Sequence, residues 1–160
     1  MTELRRLTPE DWRLFRAIRL AALAEAPYAY GSTLADWQGE NDSERRWRRR
    51  LTAVPYNAVA YLGDAAAGLV SATGQDADGE IELISMWVAP FALGKGVADV
   101  LISAVIAHAR TIDSPAVYLQ VRETNFAARA VYARNGFVYD GSAVDESGCV
   151  ERRMIFRFTD

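Results

Sequence analysis

Two short stretches of the chain hold residue types that can do chemistry. In "FALGKGVADV" two glycines, Gly94 and Gly96, stand two positions apart at the head of a helical pattern. Such a turn offers backbone N–H groups at a helix N-terminus, where the macrodipole is equivalent to roughly half a positive charge, and it usually holds an anion. In "GEIELISMWV", Glu80 and Glu82 lie two apart on a strand-like run and share one face. Carboxylates that close raise at least one pKa when partly buried, which makes a proton acceptor. Solvated or ion-paired, they are ordinary strand-end charges. The glycine turn fails both common nucleotide motifs: G-x-G-x-x-G needs a third small residue where Asp99 stands, and a P-loop needs Ser or Thr where Gly96 follows Lys95. A tight strand-to-helix turn without a ligand is the alternative.

These residues need a frame to hold them. "TELRRL" reads as a short strand, and Thr8, Pro9 and Asp11 start a helix. Its apolar positions Trp12, Phe15, Ile18 and Ala22 recur at helical spacing to about Ala24. A polar, aromatic-dotted loop, "APYAYGSTLADWQGEND", precedes a short basic helix in "SERRWRRRL". "NAVAYLG" and "AAGLVSATG" flank the turn-like "GDA" as a hairpin. "EIELISMWV" is a longer strand ended by Pro90, and the helix after the glycines buries Val97, Leu101, Ile102, Val105, Ile106 and Ala109. "AVYLQV" is a strand; "NFAARAVYARNG" is a helix capped by Asn125 and stopped by Gly136. "FVYDGSA" and "VERRMIFRF" are two closing strands. There is no internal repeat, low-complexity tract or linker, so residues 1–160 read as one α/β domain.

Composition removes several functions. A formal charge of −3 gives no global attraction to nucleic acid or an anionic membrane. No apolar run approaches the roughly 20 residues that span a bilayer. The N-terminus has no signal-peptide core, so a cytoplasmic location is expected. One cysteine, Cys149, and one histidine, His108, make neither a disulfide nor a zinc site, and no metal is expected.

Two motifs in series now carry a resemblance. Val88, Pro90, Gly94, Gly96 and Ala98 meet a pattern close to V-x-P-x-x-[RQ]-G-x-G-x-[GA]. Asn125, Ala128, Tyr132, Gly136 and Phe137 meet N-x-x-A-x-x-x-Y-x-x-x-G-F. In that order and spacing the chain resembles the GNAT superfamily of N-acetyltransferases. The resemblance implies an α/β (α+β) fold: a mixed, mostly antiparallel sheet of about six or seven strands, flanked by about four helices and splayed between the fourth and fifth strands. It implies acetyl-CoA as cosubstrate. The pyrophosphate would be held by Leu93, Gly94, Lys95, Gly96, Val97 and Ala98, and the pantetheine arm would lie along Met86, Trp87 and Val88. Asn125 and Ala128 would complete the cofactor contacts, Asn125 serving equally as a helix N-cap. Leu93 departs from the family's Arg or Gln, which weakens rather than abolishes a site built mainly of backbone N–H groups.

Acetyl transfer to an amine needs proximity, a deprotonated amine, a stabilised oxyanion and a protonated leaving thiolate. By resemblance Glu82 is the base and Tyr132 the general acid, the other role for Tyr132 being a packed core tyrosine. A small-molecule amine acceptor is expected against Tyr28, Tyr30, Ser32, Asp36 and Trp37, with Glu80 at its edge. The acidic tip "QDADGE" favours a cationic acceptor. Arg45, Arg46, Arg48, Arg49 and Arg50 spread around their helix, which reads as solvated with Trp47 tucked inward, some of the arginines being able to touch an anionic substrate. His108 reads as a boundary residue. A homodimer is expected through "VERRMIFRF" as an edge strand. The other class of function is a CoA-binding module of the same fold without activity, to which only Leu93 points; a nucleotide-binding Rossmann protein is more distant.

Overall fold

The computed structural model describes residues 2–26 and 33–159. Within them a seven-stranded sheet runs in the order β1-β2-β3-β4-β5-β7-β6. The antiparallel half comprises β1 (Thr2–Arg6), β2 (Tyr56–Leu62), β3 (Ala65–Ala72) and β4 (Ile81–Val88). The single parallel pairing joins β4 to β5 (Ala116–Arg122), and β6 (Val138–Val144) and β7 (Val150–Arg157) complete the sheet as an antiparallel hairpin. The expected mixed, splayed sheet with four flanking α-helices is the fold observed.

Alternation along the strands assigns the two faces. Val59 and Leu69 point to one side, where they pack with Phe15 and Ile18 of α1 (Trp12–Glu25) and with Trp47 and Leu51 of α2 (Glu44–Ala53). Ala58, Ala60 and Val70 point to the other, under Leu101, Ile102 and Val105 of α3 (Val97–Thr111) and Tyr132 of α4 (Phe126–Arg134). Gly68 of β3 lets α3 come close: a Cβ there would stand 2.8 Å from the Trp87 carbonyl oxygen and 2.9 Å from Leu101 Cδ1.

Local chemistry sets the helix ends. The Thr8 N–H donates to the Asp11 carboxylate at 2.8 Å, and with Pro9 next in line the chain enters α1 through a 3-10 turn, Pro9–Asp11. Ser43 Oγ accepts from the Arg46 N–H at 3.3 Å and starts α2. Trp47 is fully buried in the aromatic packing of α1 and α2, as its spacing predicts. The solvated reading of α2 fails at one residue, because Arg50 also turns inward onto the sheet.

One further expectation is corrected. "VERRMIFRF" is not an edge: β7 is hydrogen-bonded to β5 on one side and β6 on the other, so the edge falls to β6. Among the described residues no helix is long and apolar enough to cross a membrane.

Candidate active site

The site begins where two strands part. β4 and β5 pair only at Ile81–Val117 and Glu82–Tyr118; beyond Glu82 they diverge. β4 is further deformed by a bulge. Leu69 faces Trp87 and Ser71 faces Ile84, so Ser85 and Met86 together stand opposite the single Val70. Ser85 takes φ 56°, in the left-handed region that side chains rarely adopt. The opening is a cleft of about 320 Å³ lined by Leu83 to Val88 of β4, Gln120 to Arg122 of β5 and the inner face of α4. Apolar walls with a few polar groups are the usual make-up of a small-molecule site.

Of the residues singled out in the sequence, Met86, Trp87, Val88, Leu93, Ala98, Asn125, Ala128 and Tyr132 all line this cleft. The Trp87 indole N–H donates to Glu25 at 2.8 Å, tying β4 to the end of α1. Asn125 acts as N-cap of α4, its Oδ1 accepting from the Ala128 N–H at 3.2 Å. Tyr132 is 7 % exposed and packs edge-on to Phe137 at 5.9 Å.

Between Leu93 and Ala98, which line the cleft, the glycine turn caps α3. Gly94 and Gly96 have φ 77° and 80°, and a Cβ at either would meet no atom within 4 Å, so the space above the turn is open. The first-turn N–H groups have no acceptor within an α-helix by construction. Val97 contributes main chain only, its side chain being buried against the sheet, while Lys95 is exposed and Leu93 is 66 % exposed. Asp99 does not crowd the turn with free charge, because it accepts from Arg134 at 2.9 Å and Asn135 at 2.8 Å.

The two strand carboxylates have different fates. Glu80 pairs with Arg153 at 3.0 Å, and Arg153 also holds Asp140 at 2.9 Å. Glu82 is half-buried, and burial raises its carboxyl above the ordinary range against smaller opposing effects of Gln120 and Arg153. Gln120, which lines the cleft, donates to Glu82 at 3.4 Å and connects it to that space.

The acceptor-side candidates are dispersed. Tyr28, Tyr30 and Ser32 lie outside the described residues. Asp36 caps its own turn, accepting the Thr33 N–H at 2.9 Å. Trp37 stacks on Trp47 at 4.3 Å beneath the Arg46 guanidinium. At the tip expected to attract cations, Asp76 accepts the N–H groups of Asp78 and Glu80. His108 is a boundary residue packed on Tyr56, and burial lowers its pKa. Sequence reasoning missed Ser85, Glu25, Gln120 and Arg122 in the cleft. Gln120 was detectable as the polar residue of an apolar strand; nothing local marks the bulge at Ser85.

Known proteins share this fold. An acetyltransferase of the GNAT family from Streptococcus pneumoniae superposes with a TM-score of 0.79 at 18% identity, over 99% of this chain and 100% of that one. A putative acetyltransferase from Salmonella typhimurium, solved with its cofactor acetyl-CoA, gives 0.77 at 18% identity, over 100% of this chain and 95% of its own. The PaiA N-acetyltransferase of Thermoplasma acidophilum, in complex with coenzyme A, gives 0.75 at 16% identity, over 99% of both chains. No curated protein matches the sequence significantly. The family model "Acetyltransferase (GNAT) family" matches residues 12–137, which takes in the bulged strand, the glycine turn and α4, and the chain belongs to that family.

Proposed function

We propose that the protein moves the acetyl group of acetyl-CoA directly to a primary amine of a small molecule or peptide, both substrates being bound together. The observation that carries this reading is the splay: one cleft brings the β4 bulge, Tyr132 and Leu93 and Ala98 on either side of the glycine turn to a common space. Acetyl-CoA would supply an acetyl group already activated as a thioester. The N–H groups of Gly94, Gly96 and the first turn of α3 hold the pyrophosphate, with Val97 anchoring the turn to the sheet. The Met86–Val88 main chain runs beside the pantetheine arm and donates to the carbonyl oxygen as charge develops there.

Glu82 takes the proton of the incoming ammonium through a water, with Gln120 donating to its carboxylate from the cleft side. Its raised pKa brings it closer to the amine it must deprotonate. Tyr132 returns a proton to the departing sulfur. Leu93 gives the cofactor an apolar contact where a charge is common in the family, so binding is weaker than a cationic residue there would give.

Isothermal titration with acetyl-CoA, dephospho-CoA and NAD tests the site. Micromolar binding of acetyl-CoA with NAD silent supports it, and amine-dependent thiol release then separates an enzyme from an inactive CoA-binding module. No heat with acetyl-CoA would remove both.

A further inference from the structure

The acceptor side of the bulge is cationic. Arg50 of α2 lies along a polar row that crosses three strands, donating to Asn57 Oδ1 at 3.1 Å and to Ser71 Oγ and Ser85 Oγ at 3.2 Å each. Its three acceptors are neutral, and among the described residues no carboxylate pairs with it. Phe15 sits below the guanidinium at 5.2 Å. Arg19 of α1, 6 % exposed, adds a second positive charge nearby. Burial, and then Arg19, push Arg50 down to about 10, the mark of a cation held without a counter-charge.

Arg50 also borders open space. It lines a cavity of about 430 Å³ together with Trp37, Arg45, Arg46 and Arg49, and among the described residues no carboxylate lines that cavity. Its other end touches Ser85, which lines the cleft between β4 and β5. Neighbouring strand residues are ~3.3 Å apart, so the guanidinium lies within the length of a small amino acid from the Met86 main chain. Of the acidic groups expected on the acceptor side, Glu80 pairs with Arg153 and Asp36 holds its own turn.

Resting on the acetyltransferase reading, we infer that the acceptor amine carries an oxyanion, a carboxylate or phosphonate, which seats on Arg50 beside the bulge. An oxyanion there supplies the missing counter-charge and accepts from the guanidinium N–H groups that Asn57, Ser71 and Ser85 leave unused, Nε–H and the second Nη1–H. Asn57 and Ser71 hold the guanidinium in place, since Ser71 Oγ also donates to Asn57 Oδ1 at 2.6 Å.

The test has an equilibrium arm and a kinetic arm. In the first, acetyl-CoA binding is titrated, and the CoA-loaded protein is then melted with N-acetylglycine, N-acetylglycinamide and sulfate. In the second, thiol release is followed with α-amino acids, their carboxamides and aminoalkylphosphonates. The expected result is stabilisation by N-acetylglycine but not by its amide, and a kcat/KM for the anionic amines about 10- to 100-fold above their carboxamides. The phosphonates distinguish the two oxyanions. Arg50→Met should bring the carboxylate-to-carboxamide ratio near one through KM, with acetyl-CoA affinity within about threefold, and Arg50→Lys should restore part of the ratio. Equal losses on charged and neutral amines would make Arg50 a support for the bulge and overturn the inference. So would wild-type protein that binds acetyl-CoA and prefers carboxamides or polyamines, an outcome that leaves the acetyltransferase reading standing. Failure to bind acetyl-CoA, or to turn over any amine, overturns both.

Discussion

Glu82 and Tyr132 are assigned opposite proton traffic, and each assignment has its own signature. Burial raises the Glu82 pKa in the folded chain. Between its unfolded and folded values the native state therefore binds more protons, so stability falls as pH rises through the window above the ordinary carboxylate range. Glu82→Gln removes that fall, which paired thermal melts between about pH 4 and 7 will show. The same variant should lose roughly 100-fold in rate at neutral pH and recover at alkaline pH, where the amine deprotonates unaided. An unchanged pH profile would place the base elsewhere. Tyr132→Phe keeps the edge contact with Phe137, so stability should change by under about 1.5 kcal/mol. Its turnover should drop ~10- to 100-fold with acetyl-CoA affinity within a few-fold; unaltered turnover removes Tyr132 as the acid.

The elements concerned are a helix start and a strand defect. Gly96 caps α3 with φ 80° and has open space beyond it, so Gly96→Ala and Gly96→Asp both carry backbone strain, roughly 1–2 kcal/mol for Ala and less for Asp. Only Asp adds charge where the pyrophosphate is expected. The aspartate variant should bind acetyl-CoA at least ~10-fold more weakly than the alanine variant although it is the less strained of the two. Equal affinities would dissociate the turn from the cofactor. On α4, Asn125→Ala removes a cap worth about 1 kcal/mol from a helix that lines the cleft, measurable by urea melts. The bulge acts on β4 differently: it displaces the strand locally and carries Ser85 toward Arg50.

At the scale of the whole molecule the site depends on how closely α3 lies on the sheet. Gly68 permits that approach, and a methyl group there would press on Leu101, Val97 and the Trp87 carbonyl together. Gly68→Ala should cost about 1–3 kcal/mol in denaturant melts and weaken acetyl-CoA binding at the same time, since α3 carries the glycine turn and Trp87 lies on the cleft. A stability loss without a change in affinity would show that the turn is held independently of the helix.

Sequence alone determined what depends on neighbours along the chain. The order of strands and helices, the glycine turn, the Asn125 cap and the position of Tyr132 follow from periodicity, capping and fixed spacing, which act over a few residues. Arg50 was half legible: it stands three after Trp47 and one before Leu51, on the face those residues bury, yet a run of arginines reads as solvated until the polar breaks Asn57 and Ser71 are set opposite it. Only the tertiary structure decided the rest. Glu80 and Arg153 are 73 residues apart, and their pairing takes one of the two carboxylates out of contention as a base. The splay, the bulge and the interior place of β7 arise from strand register, which is fixed between strands and leaves no mark within any one of them.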